Sequence, residues 1–135
     1  MSAPPAPIDA AFCADVAGNR ITVLPGGPER LAQLLALVAG AEKRIGLLFY
    51  IYADDSSGTA LRDALTEAAR RGVRVTMLLD SFGSAGTADS FFAPLREAGG
   101  TVRWFGTRWG RRYLIRNHQK LVVVDGRVAM AGGFN

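Results

Sequence analysis

Residues 117–135 read NHQKLVVVDGRVAMAGGFN and hold the only histidine of the 135-residue chain, His118. Lys120 stands two positions on, Asp125 seven, and a Gly132-Gly133-x-Asn135 group follows. The run HQKLVVVD predicts a strand, RVAMAGG a return strand, and Asp125-Gly126 a two-residue hairpin turn between them. Side chains alternate along a strand, so His118 and Lys120 share a face and Gln119 points to the other. An imidazole beside an ammonium is a poor structural pair. It makes sense where both face an anion such as a phosphate. Gly132 and Gly133 then keep side chains off the return strand near that anion, and Asn135 adds an amide donor.

Working back from this stretch, the chain alternates strand-like and helix-like segments. RITVLPGG at 20–27 is a short strand closed by Pro and Gly. PERLAQLLALVAGAEKR at 28–44 is a helix, with Pro28 at its first position and Leu31, Leu34, Leu35 and Val38 on one face. IGLLFYIY at 45–52 is a continuous apolar run, as expected of a strand buried on both sides. A second helix covers 54–72. It has Asp54 and Asp55 as cap candidates, Leu61, Ala64, Leu65 and Ala68 as its apolar stripe, and Gly72 to stop it. VRVTMLLD at 73–80 is another buried strand. TADSFFAPLREAGG is a third helix disturbed by Pro94, and TVRWF at 101–105 is a strand. The order β-α-β-α-β-α-β-β-β predicts an α/β fold, a mixed and largely parallel sheet flanked by helices. Residues 1–19, rich in Ala and Pro, read as an irregular arm ahead of one domain over 20–135.

Composition narrows the function classes. Hydrophobic residues make up 49% and charged residues 21%, enough for a buried core. The net charge of +4 favours anionic partners. Cys13 is the only cysteine, which excludes an internal disulfide and a cysteine metal cluster and suits a reducing compartment. No apolar run reaches the roughly 18 residues that span a bilayer, and the first residues lack the pattern of a signal peptide. Asp54, Asp55 and Asp80 sit at strand ends ahead of a helix or a Gly turn, so capping is preferred to metal binding.

The full spacing is His-x-Lys-x4-Asp-x6-Gly-Gly-x-Asn, filled by His118, Lys120, Asp125, Gly132, Gly133 and Asn135. It resembles the HKD motif of the phospholipase D superfamily. Six such matches at one start have a chance probability on the order of 10^-8, so coincidence is set aside. The similarity extends upstream through LLFYIYADDSSGTALRDALTEAARRGVRVTMLLDSFGS at 47–84. This resembles the segment ahead of the first motif in bacterial cardiolipin synthases and covers residues 20–135.

That resemblance implies an enzyme, either transferase or hydrolase, that works on phosphodiesters without a metal or other cofactor through a covalent phosphohistidine. Two HKD motifs meet at one site in the family. One imidazole cannot be both the attached nucleophile and the general acid. Carried over by position, His118 is the nucleophile, and Lys120 and Asn135 bind the non-bridging oxygens. Asp125 belongs to the turn, where it sets geometry or forms an ion pair. A single motif departs from the family pattern. The second half is expected from a missing C-terminal segment, a partner chain or a homodimer, and the isolated chain is expected to be inactive. Phospholipid and an anionic membrane surface are the expected partners, which places the protein in the cytoplasm as a peripheral membrane protein. Nucleic acid is the alternative substrate, and a non-catalytic anion-binding module a third reading.

One further segment fits these partners. The loop GTRWGRRYLIRN at 106–117 combines Arg112 and Arg116 with Trp109 and Tyr113. Arginines meet headgroups while aromatic rings sit at a lipid boundary, and the same mixture can stack single-stranded nucleic acid. A solvated connector is the plainer reading.

Overall fold

The computed structural model describes residues 12–106 and 118–133. The chain divides into two compact units, Met1–Leu34 and Leu35–Asn135, with the boundary inside the first helix.

In the first unit, β1 (Phe12–Val16) pairs antiparallel with β2 (Asn19–Val23). Ala17 and Gly18 join them, both at positive φ (49° and 79°), the backbone of a two-residue turn that suits strand twist. Alternation gives the hairpin two unlike faces. Arg20 Nε meets Asp15 Oδ1 at 3.3 Å and Cys13 Sγ lies 3.4 Å from Thr22 Oγ1, while Phe12, Val16, Ile21 and Val23 are exposed. Residues 12–16, expected in the irregular arm, therefore form a strand. Residues 17–19 of that arm form the turn and the first residue of β2, and residues 1–11 lie outside the described residues.

Helix α1 (Gly27–Ala39) begins beside Pro28 as expected but ends well short of Arg44. Gly40 closes it, and the Arg71 guanidinium donates to the carbonyls of Val38, Ala39 and Ala41 at 3.2, 3.1 and 3.4 Å. Those carbonyls lack helical partners at a C-terminus, so a cation that bonds them ends the helix there. The chain is then free to enter β3 (Arg44–Phe49).

The second unit is built on a five-stranded mixed sheet in the order β5-β4-β3-β6-β7. Strand β3 runs parallel to β4 (Arg74–Asp80), which runs parallel to β5 (Thr101–Phe105). On its other side β3 pairs antiparallel with β6 (Leu121–Val124), the first strand of a hairpin completed by β7 (Val128–Ala131). Helix α2 (Ser56–Arg70) connects β3 to β4 and packs on β4. The expected third helix is a 3-10 turn over Asp89–Phe92 followed by the short α3 (Ala93–Glu97). Pro94, in the first turn of α3, lacks an N–H and fixes the break.

Burial in the sheet alternates. Ile45, Leu47 and Phe49 of β3, Val75, Met77 and Leu79 of β4, and Val122 and Val124 of β6 are all buried. The registers Leu47↔Met77, Leu47↔Val122 and Phe49↔Leu79 put them on one face. Helix α2 contributes Leu61, Leu65, Ala68 and Ala69 to the core, and the turn before α3 adds Phe92. The intervening Gly46, Leu48 and Leu78 are only half-buried. Strands β3 and β4, expected to be buried on both sides, are fully buried on one.

The hairpin turn also differs from expectation. Val124 pairs with Val128, so Asp125, Gly126 and Arg127 form a three-residue loop. Asp125 and Gly126 still take positive φ (54° and 68°), and Arg127 N–H closes on the Val124 carbonyl at 3.0 Å.

Candidate active site at the edge of the sheet

Open α/β sheets place ligands beyond the carboxyl ends of their parallel strands. Three segments converge there in this chain: Tyr50 just after β3, the loop after β4, and His118–Lys120 just before β6.

His118 and Lys120 are not in a strand, since β6 begins only at Leu121. The alternation expected to put them on one face does not apply, yet they come together by another route. The His118 imidazole stacks on the Tyr50 ring, with centroids 3.8 Å apart and planes 25° from parallel. Lys120 Nζ lies 5.7 Å from the centroid of that same ring, within cation–π range. His118 is exposed and Lys120 half-buried. Beyond the hairpin, Gly132 N–H donates to the Lys120 carbonyl at 3.3 Å and extends the ladder to the site.

Tyr50 is held from below by the loop after β4. Ser84 Oγ donates to the Tyr50 carbonyl at 3.0 Å and accepts Tyr52 N–H at 2.9 Å. Thr87 Oγ1 donates to the Tyr52 carbonyl at 2.6 Å. Gly83 lies so close that a Cβ there would fall 2.3 Å from the Tyr50 carbonyl oxygen and 2.9 Å from two ring carbons. Only glycine allows this approach. Asp80, almost fully buried, shapes the loop by accepting Phe82 N–H and Gly83 N–H on Oδ1 at 2.9 and 3.0 Å. The DSFGS run at 80–84 is thus a support for Tyr50.

Tyr52 is buried on the core side, and its hydroxyl donates to the Gly58 carbonyl at 2.7 Å. Burial pushes its phenol well above the ordinary tyrosine range, so it remains a donor. Asp55 caps α2 by accepting Gly58 N–H at 2.8 Å. Asp55 and Asp80 are therefore occupied as backbone caps.

Asp125 stands apart from His118 and Lys120. Its Oδ1 accepts the N–H groups of Lys43 and Arg44, both at 2.8 Å, and Oδ2 accepts Glu42 N–H at 2.9 Å. The bond from Arg44, then those from Glu42 and Lys43, hold its carboxyl below the ordinary range. Of the roles expected for it, turn geometry is realised, but the bonds go to backbone amides. At Gly133 a Cβ would meet nothing within 4 Å among the described residues, so space alone does not require glycine there. Asn135, Arg112, Arg116, Trp109 and Tyr113 lie outside the described residues.

Sequence reading missed Tyr50, Gly83 and Ser84 as site residues. Their only signal was the resemblance that included FYIY and DSFGS.

A mixed α/β sheet with a His-x-Lys pair at the mouth of its parallel strands defines a phospholipase D-like domain. Residues 34–135 match the family described as "Cardiolipin synthase, PLD-like domain", and the chain belongs to it. It is 41% identical over 121 residues to the major cardiolipin synthase ClsA of Bacillus subtilis, covering 87% of this chain and 25% of that protein. It is 37% identical over 123 residues to cardiolipin synthase B of Escherichia coli K12, covering 87% of this chain and 30% of that protein. The chain thus spans between a quarter and a third of these relatives. Among solved structures, the fold is shared with Nuc of Salmonella typhimurium, a phospholipase D family member (TM-score 0.59, 22% identity, 77% of this chain and 62% of that one). It is shared also with NucT of Helicobacter pylori (TM-score 0.62, 15% identity, 93% of this chain and 73% of that one).

Proposed function

We propose that this chain supplies one half of a site that transfers or hydrolyses phosphodiesters on phospholipids, with His118 as the nucleophile. The observation that carries the reading is the meeting of His118 and Lys120 over Tyr50 at the mouth of the sheet, in a chain whose relatives bear the name cardiolipin synthase.

In this reading an imidazole nitrogen of His118 attacks phosphorus, the P–O bond to the leaving group breaks, and phosphohistidine forms. The Lys120 ammonium and the Asn135 amide stabilise charge on the non-bridging oxygens. The leaving alkoxide takes a proton from a second histidine, which this chain does not contain and which a second HKD half must bring. That half comes from a further segment of a longer protein, a partner chain or a second copy. A lipid substrate also calls for a peripheral contact with an anionic membrane surface. The net charge of +4 and the arginines at 108–116 support that contact.

The test is to incubate the full-length protein with phosphatidylglycerol, phosphatidylcholine or single-stranded DNA in the presence of a metal chelator. The expected result is turnover of phospholipid that His118→Ala abolishes, together with an acid-labile phosphoprotein that disappears in the same variant. Cleavage of DNA and not of lipid would replace this reading with a nuclease. Activity in His118→Ala would remove His118 from its role.

A further inference from the structure

We propose that Tyr50 is the positioning residue of the site, a platform that fixes the plane of the His118 ring and keeps Lys120 beside it. The proposal rests on the phosphotransfer reading above and adds to it a residue outside the HKD motif.

His118 is exposed and lies in an irregular segment before β6, where an imidazole would ordinarily sample several rotamers. A nucleophile needs one orientation, because misplacement by about 1 Å can cost roughly 100-fold in rate. The Tyr50 ring covers one face of the imidazole at 3.8 Å and 25°, which limits rotation of the ring out of that plane. The residue remains exposed. The Lys120 ammonium lies 5.7 Å from the centroid of the same Tyr50 ring, so one ring contacts both groups.

A platform is useful only if it is itself fixed, and Tyr50 is. Ser84 Oγ holds its carbonyl at 3.0 Å, and Gly83 presses against its ring from the β4 side. The order of support runs from the loop after β4, through Tyr50, to the imidazole. The contact is through the ring face, so the phenol hydroxyl is dispensable and phenylalanine should replace tyrosine.

His118 is the only histidine, so the chain itself reports on one imidazole without ambiguity. The 135-residue protein is treated with potassium phosphoramidate, a small phosphoryl donor. Acid-labile phosphohistidine is followed by phosphorus NMR, and the His118 ring protons are followed by proton NMR. Wild type is expected to label at His118 and to show ring protons shifted upfield by the Tyr50 ring current. Tyr50→Phe should keep both properties, with a labelling rate within about twofold. Tyr50→Leu should lose the upfield shift and label at least about tenfold more slowly. If Tyr50→Leu does not fold, Gly83→Ala serves instead. It displaces the Tyr50 ring without removing it, and should reduce both the shift and the rate.

Labelling that proceeds at the wild-type rate in Tyr50→Leu, or in Gly83→Ala with the ring shift changed, overturns the positioning role alone. Absence of labelling in wild type with the upfield shift intact overturns the nucleophile reading, and the positioning role falls with it.

Discussion

Asp125 and Arg44 are joined twice. The Asp125 carboxylate accepts Arg44 N–H at 2.8 Å, and Asp125 N–H donates to the Arg44 carbonyl at 2.8 Å. These bonds tie the β6–β7 turn to the first residue of β3. His118 and Lys120 sit at the other end of the same strand pair, beyond the Leu48↔Leu121 register. At about 3.4 Å per residue, the four strand residues between Lys120 and Asp125 separate them by more than roughly 13 Å. The aspartate of the motif therefore cannot share a phosphate with the histidine and lysine. It anchors the hairpin on which they are mounted.

Asp125→Ala removes acceptors from three backbone N–H groups and a side chain suited to the left-handed turn. The variant is expected to melt several degrees below wild type while the His118 ring protons keep their upfield shift. Differential scanning calorimetry and proton NMR check the two halves of this expectation. A variant that melts normally but loses the ring shift would place Asp125 in the site after all.

Stability should also fall in acid, because two carboxyls are held below their ordinary range. Asp125 is held by backbone N–H groups. Asp89 is held first by Trp104 Nε1–H at 2.7 Å and then by the two-pronged Arg96 guanidinium. The unfolded chain, with aspartates near pKa 3.9, takes up protons before the folded one does. The contribution of these groups is therefore fully present well above pH 4. It is lost progressively as pH falls through 3.9 toward the lower folded values. Urea denaturation at pH 7, 5, 4 and 3 should show this fall. The double variant Asp89→Asn, Asp125→Asn should be less stable at pH 7 but lose less below pH 4. An unchanged acid slope in the double variant would be evidence against the assignment.

Ser84→Ala should cost stability and disturb the site together. Ser84 is 1% exposed, and its hydroxyl is the partner of both the Tyr50 carbonyl and Tyr52 N–H. Leaving buried backbone groups unpaired costs about 1–3 kcal/mol. Urea denaturation is expected to give a value in that range, and the His118 ring protons should lose part of their upfield shift. A loss of stability with no change in the ring shift would confine Ser84 to the fold.

The alternation of apolar strands and amphipathic helices was legible in the sequence because period and punctuation agree. Leu61, Leu65 and Ala68 are buried as the stripe predicts, and Asp55 caps the helix they belong to. What was not legible depended on contacts distant in sequence. The β1–β2 hairpin turns at Ala17-Gly18, and alanine at positive φ carries no turn signal. The end of α1 is set by Arg71, more than thirty residues on. The pairing of His118 with Lys120 was expected from strand alternation and is achieved by Tyr50 instead, a residue nearly seventy positions upstream. The motif singles out the two residues, but tertiary packing brings them to one ring.

Lys120 offers a direct test of the proposed anion recognition. Its ammonium and the His118 imidazole both lie against the Tyr50 ring, and in the proposed function one anion contacts both. Titration of the chain with inorganic phosphate should shift the His118 ring resonances in a saturable way. Lys120→Met keeps the aliphatic stem and removes the charge. A hydrogen bond to a charged group contributes about 1.5–3 kcal/mol, so the half-saturating phosphate concentration should rise by roughly tenfold or more. Raising the salt concentration should weaken phosphate binding in wild type more than in Lys120→Met, because the variant has lost the local charge that salt screens. Equal phosphate affinity in the two proteins would mean that the ammonium does not face the anion, and would leave Lys120 with only its contact to Tyr50.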